Sequence, residues 1–290
     1  MNKEFILGLD IGSSSVRGAL FDSLGRMLPM TLARIERRLA ATRDGGAEID
    51  ADKAFRQVVV TINSSLENSA KIDGEIVAVA SCTFWHSLMG IDKSGKPTTP
   101  VYGWADNRSR NYVDVLRKRF DETETHNRTG ARFHSSFWPA KLLWIRNEQP
   151  DVWTRTARWI SFSDYVALKL CGRAVSSISI ASGTGIFDIR KCDWDTEFLR
   201  YLKIKKSDFG DIAATDDLTL ALLPKWQKRW PRLKDAKWFP AVADGVANNI
   251  GSGCVDETKA ALIVGTSGAM RVIYRRETPK KIPSGMWCYR

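Results

Sequence analysis

The 290-residue chain has no apolar run approaching the length of a bilayer span, so no membrane partner is expected. Histidine is scarce, occurring only at His86, His126 and His134. The five cysteines, Cys82, Cys171, Cys192, Cys254 and Cys288, are odd in number and widely spaced. No pair of them has metal-ligand spacing, so they read as free thiols in a reducing cytoplasm. At the start, "MNKEFILGLDIG" carries an early lysine, but Glu4 and Asp10 interrupt any signal-peptide core. Net charge is +11, yet no RNA- or DNA-binding motif accompanies it. The cations gather in "RIERR", "RKR", "KIKK", "KWQKRW" and "RRETPKK", with acids between. That pattern is a solvated basic surface able to draw in anionic substrates, and it excludes nucleic acid as the expected partner.

What is present is ordinary for a globular protein: 43% apolar and 27% charged residues, in a length that suits one large domain or two smaller ones. Residues 4–9, 16–22 and about 27–36 read as three successive strands. The first two alternate apolar positions around a turn, "DIGSSS". A Rossmann opening would place a helix directly after such a turn, and none is readable here. "ADKAFRQVVVTINSSLENSA" (51–70) has helical spacing, with Asp50 or Asp52 as cap. "EIVAVASCT" (75–83) is a buried, parallel-type strand. Helices follow at 108–120, 138–149, 160–172 and 194–204, with Pro139 in a first turn and Gly172 as a C-cap. The succession is an α/β one.

The opening turn combines Asp10, Gly12, Ser13, Ser14 and Ser15. Its backbone N–H groups, hydroxyls and carboxylate can wrap an anionic group and its Mg²⁺; a plain serine-rich hairpin is the other reading. Near the far end, "KAALIVGTSGAMRVIY" (259–274) repeats the plan of strand, small-residue turn, strand. A divergent internal repeat predicts two related lobes facing one another across a cleft, an arrangement suited to phosphoryl transfer.

Eight stretches in order along the chain carry a resemblance: "GLDIGSSSVRGALFD" (8–22), "FWHSLMGID" (84–92), "YGWADNRS" (102–109), "TGARFHSSFWPAKLLWI" (129–145), "SDYVALKLCG" (163–172), "ASGTGIFD" (181–188), "ADGVANNIGSGC" (243–254) and "GTSGAMRVIY" (265–274). Each alone is weak; together they resemble the FGGY carbohydrate kinases, most of all the gluconate kinases. The resemblance implies a ribonuclease-H-like/actin-like ATPase fold. The first lobe, 1–253, would bind sugar and be complete. Residues 254–290 would begin a nucleotide-binding second lobe, truncated, because the family's adenosine-binding glycine turn has no equivalent here. Exposed strand edges would then favour a homodimer or aggregation.

The implied chemistry is ATP-dependent phosphorylation of a terminal hydroxyl, with D-gluconate as acceptor and Mg²⁺ as metal. Asp244, in "VADGVANN", matches the family's catalytic aspartate and would take the hydroxyl proton; local sequence alone also allows a helix N-cap for 246–250. Asp10 and Asp244 would serve the metal. Ser13, Ser14 and Ser15 would donate to phosphates, matched in the second lobe by Gly265, Thr266 and Ser267. His86, Trp104, Asp106, Arg108 and His134 are the sugar-side candidates, with Trp104 an apolar face and Asp106 an acceptor for hydroxyls. "WADNR" could equally be a helix start, and His134 a satisfied core histidine. His126 reads as a surface residue, and Lys141 as cleft-facing or solvated. The rival readings are a xylulose-type or polyol kinase and a non-catalytic sugar-binding remnant.

Overall fold

The computed structural model describes residues 3–213, 218–264 and 268–290. The opening strand Glu4–Ile11 runs antiparallel to Ser15–Phe21, with Leu9 opposite Gly18, Asp10 opposite Arg17 and Ile11 opposite Val16. Its other edge takes Glu75–Thr83 in parallel, which puts Asp10 beside Cys82. Ala33–Glu36 pairs antiparallel with the second strand, while Lys237–Trp238 and Val242–Ala243 both run parallel to Glu75–Thr83. The result is one mixed six-stranded sheet.

The parallel pairing of Glu4–Ile11 with Glu75–Thr83 requires a crossover, and helix Ala51–Asn68 lies within it. Asp50 caps that helix, its carboxylate accepting from the Lys53 amide at 2.6 Å. Ala54, Phe55, Val58, Val59 and Ile62 recur at helical spacing and bury against the sheet with Leu7, Leu9 and Leu20. A second core surrounds helix Trp138–Glu148, where the Trp138, Trp194 and Phe209 rings stack on one another.

Three expectations shift in detail. The third strand does not extend over 27–36: Pro29, without an N–H to donate, heads a 3₁₀ turn to Thr31, and the strand begins only at Ala33. The helix expected at 108–120 is Asn111–Arg119, because Asp106 ties the residues before it into turns. The helix after "VAD" starts at Asp244 itself, with Ala243 in the capping position, so Asp244 is not an N-cap. Of the strand–turn–strand expected at 259–274, the two strands are Ala260–Val264 and Gly268–Val272, paired antiparallel. No helix among the described residues is long and apolar enough to cross a membrane, and all five cysteines are unpaired thiols.

Candidate functional site

The sheet register decides which residues meet. Asp10 lies opposite Cys82, and Cys82 opposite Val242, so Asp10 and Asp244 leave the carboxyl ends of two strands that flank Glu75–Thr83. Cys82 Sγ donates to Asp10 Oδ1 at 3.6 Å. Burial and then the charges of Asp10 and Asp244 push the thiol up to about 12, so it stays protonated. The Asp244 carboxyl is itself pushed up, first by burial; its own Gly245 amide and Arg271 pull it down, and the Asp10 charge pushes it further up. Two carboxylates near enough for one to raise the other suit a divalent cation, which takes one or two such ligands together with phosphate oxygens and water.

The turn beside Asp10 is oriented by Arg37. The Arg37 amide donates to the Ser14 carbonyl at 2.9 Å, and its guanidinium donates to the Gly12 carbonyl, from Nε at 2.9 Å and from Nη2. With the carbonyls held inward, the N–H groups of Ser13 and Ser14 donate to nothing among the described residues. Two successive amides without such a partner can donate to an anion. Ser15 departs from expectation. It begins the second strand, is buried, and its carbonyl accepts from the Gly12 amide, so it does not share the open side of the turn. Arg17 closes on Asp10 in an exposed ion pair of 2.9 Å. Arg37 was legible in sequence only as part of a basic run. Gly265, Thr266 and Ser267 lie outside the described residues.

Around Asp244 stand two residues that sequence reading did not single out. The Trp85 ring and the Arg271 guanidinium both crowd Gly245, where a Cβ would sit 2.5 Å from the one and 2.9 Å from the other. Glycine is therefore what lets these side chains close on the Asp244 turn. Arg271 lies over the Trp85 ring, and its Nη1 is buried without a partner among the described residues. Tyr289 packs on Trp85 and His86.

The sugar-side candidates divide. His86 has a left-handed backbone, φ +65°, and its Nδ1 bonds the Gly183 carbonyl. Because the partner is a carbonyl, the proton sits on Nδ1, leaving Nε2 a bare acceptor. Burial pushes the imidazole down to about 4, so it is neutral at pH 7. Trp104 is 40% exposed and offers its face. His134 lies at the surface, its Nδ1 accepting from the Ser136 amide at 3.2 Å. Asp106 and Arg108 turn to one another. Asp106 is fully buried, and its carboxylate accepts from the Ala47 amide and from the Arg108 amide and guanidinium. Arg108 also reaches Glu48 at 2.8 Å and lies over the Tyr102 and Trp144 rings. The pair is an internal strut for the loop that presents Trp104, with the Asp106 carboxylate and Arg108 Nε and Nη2 already engaged. His126 is a correction too: it is buried, with Nε2 bonded to the Met286 carbonyl at 2.8 Å.

A cavity of about 530 Å³ elsewhere is lined by Arg119, Arg146, Arg200 and Lys203, and by none of the site residues. The three arginines sit in the last turns of their helices, where the dipole accounts for cations. We assign it no part in the site.

Known proteins share this fold. The model for the N-terminal domain of the FGGY family of carbohydrate kinases matches residues 5–244. A gluconokinase of Bacillus subtilis (strain 168) is 27% identical over 286 residues, which are 98% of this chain and 55% of that protein. Among solved structures, a gluconate kinase from Lactobacillus acidophilus superposes with a TM-score of 0.86 at 30% identity, covering 93% of this chain and 54% of that one. A ligand-bound xylulose kinase from the same organism gives 0.90 at 31%, covering 99% and 57%. The chain thus spans about half the length of the curated relatives it matches. The α/β, actin-like fold expected from the sequence is the fold of these neighbours.

Proposed function

The chain belongs to the FGGY family of carbohydrate kinases, and from that premise we propose that it serves ATP-dependent phosphorylation of a hydroxyl on a small sugar or sugar acid, with D-gluconate the favoured acceptor. The observation that carries the reading is the shared end of the sheet. A raised carboxyl, Asp244, feels the charge of Asp10, whose turn carries the Ser13 and Ser14 amides, and adjoins Trp85, the neighbour of His86. One end suits phosphates, the other a polyol.

In the reaction, the acceptor hydroxyl oxygen attacks the γ-phosphorus. The bond from phosphorus to the bridging oxygen of ADP breaks, and ADP leaves with the electron pair. The hydroxyl proton passes to the Asp244 carboxylate, whose affinity for protons burial raises. Ser13 and Ser14 donate to phosphate oxygens. Arg271, near enough to Asp244 to lower its carboxyl, would add positive charge beside the transferring group. His86 Nε2 accepts from a sugar hydroxyl, and Trp104 covers the carbon chain. Asp10 and Asp244 would hold Mg²⁺, which neutralises phosphate charge when bound. Residues 1–253 form the acceptor lobe in this reading, and 254–290 begin the nucleotide lobe of a cytoplasmic enzyme.

A xylulose-type acceptor is the second reading, supported by the L. acidophilus xylulose kinase, which is as similar as the gluconate kinase. Calorimetric titration with D-gluconate, D-xylulose and glycerol separates the two. Preferential binding of gluconate is expected; binding of xylulose alone would reassign the acceptor, and binding of none would remove the sugar-side role.

A further inference from the structure

Lys141 is used by nothing above, yet it is fully buried in helix Trp138–Glu148. Its ammonium donates to three backbone carbonyls: His86 at 3.3 Å, Gly103 at 2.8 Å and Ser136 at 2.7 Å. Three N–H donors meet three acceptors, so the group is saturated and touches no ligand position. Those carbonyls belong to three different loops, the ones that carry His86, Trp104 and His134. The loops are also tied to one another, since Ser136 Oγ donates to the Trp104 carbonyl at 2.7 Å. At His86 the tie acts on a left-handed, non-glycine backbone, a conformation that persists only where its surroundings impose it.

We propose that Lys141 is the positioning residue of the acceptor side: one buried ammonium fastens the three loops that present His86, Trp104 and His134, and sugar affinity depends on it. The inference rests on the sugar-kinase reading for what the loops bind; the fastening itself does not. A residue of this kind costs hydration to bury, and a purely packing role would be met by an apolar side chain.

The charge state gives the tie a pH dependence. Burial pushes Lys141 down to about 7 from its ordinary 10.5, with Asp106 pulling it up and Arg108 pushing it down. The other groups around it do not titrate across neutrality in the same direction. Both histidines are shifted below their ordinary 6.5, His86 by burial and His134 by burial and the Lys141 charge, and are neutral above it. Arg108 loses by burial but gains more from Asp106 and Glu48, and stays charged. Loss of the Lys141 proton leaves two donors for three carbonyls. Global stability moves the opposite way. Between about 7 and 10.5 the unfolded chain binds the proton and the folded chain does not, so this group makes stability rise with pH. Looser loops in a more stable protein is a signature that plain structural damage does not produce.

The test combines hydrogen–deuterium exchange with calorimetric titration of D-gluconate and D-xylulose, on the wild type and on Lys141→Met, from pH 6 to 9. In the variant, exchange is expected to rise at residues 84–88, 103–108 and 134–137 while the strand Glu4–Ile11 stays protected. Sugar Kd is expected to rise roughly 10- to 100-fold. In the wild type, exchange corrected for its intrinsic pH dependence and sugar Kd should both climb above about pH 7. Unchanged loop exchange in the variant would overturn the proposal. If Lys141→Met does not fold, the wild-type series decides alone, and loops whose protection is flat from pH 6 to 9 overturn it. Loosened loops with no sugar bound by the wild type would instead overturn the sugar-kinase reading, and with it the positioning role, while leaving the three-loop tie in place.

Discussion

Two hairpins in this molecule share a plan and differ in their surroundings. The opening hairpin, Glu4–Ile11 with Ser15–Phe21, has Leu7 and Val16 at 0% exposure. Its first strand is paired on both edges, and a helix covers one face. The closing hairpin, Ala260–Val264 with Gly268–Val272, pairs only with itself among the described residues and leaves Leu262 68% and Val264 80% exposed. Alternation of apolar residues around a small turn therefore specifies a hairpin; burial depends on what the rest of the chain brings to it. The two hairpins also act on Asp244 with opposite sign, Asp10 of the first pushing its carboxyl up and Arg271 of the second pulling it down.

The largest contrast should be thermodynamic. Leu7→Ala empties part of a packed core and is expected to cost about 2–5 kcal/mol in urea unfolding. Leu262→Ala should stay within roughly 0.5 kcal/mol. Equal losses would break the comparison, because they would mean that the closing hairpin is covered in solution, by a second copy or by further chain. The glycines give a smaller effect. A Cβ at Gly18 would lie 2.7 Å from Ser65 Oγ and 3.1 Å from both Leu9 and Thr61, whereas at Gly268 the nearest atom is 3.7 Å away. Gly18→Ala should destabilise by about 1–3 kcal/mol, and Gly268→Ala should be neutral or stabilising by up to about 1 kcal/mol. The finest contrast is electrostatic. In a carboxyl ¹³C NMR titration, Asp10→Asn should lower the Asp244 pKa and Arg271→Ala should raise it. Shifts of one sign in both variants would show that the two hairpins do not oppose one another at Asp244.

Much of the sheet end was legible, because local chemistry fixes it. The "DIGSSS" turn, the continuous apolar strand at 75–83 and the Asp–Gly pair at 244–245 each need particular residue types where they stand. The misreadings came from residues whose partners are remote in sequence. Asp106 and Arg108 look like ligands until Ala47 and Glu48 are brought to them across the fold. Arg37 reads as one of a basic run until it takes the Gly12 carbonyl, 25 residues away in sequence. Lys141 is saturated by carbonyls 55, 38 and 5 residues distant, a pattern with no periodic trace. His126 and Met286 are 160 apart. Long-range pairing of polar side chains is what a single sequence hides.

The central claim is that Asp244 is the base of a sugar kinase, and sugar-dependent release of ADP from MgATP tests it most directly. With D-gluconate and D-xylulose as acceptors, the account predicts turnover that needs a sugar and that Asp244→Asn lowers by roughly 10²- to 10⁴-fold, without loss of sugar binding. Turnover that survives the substitution at the wild-type rate would contradict it.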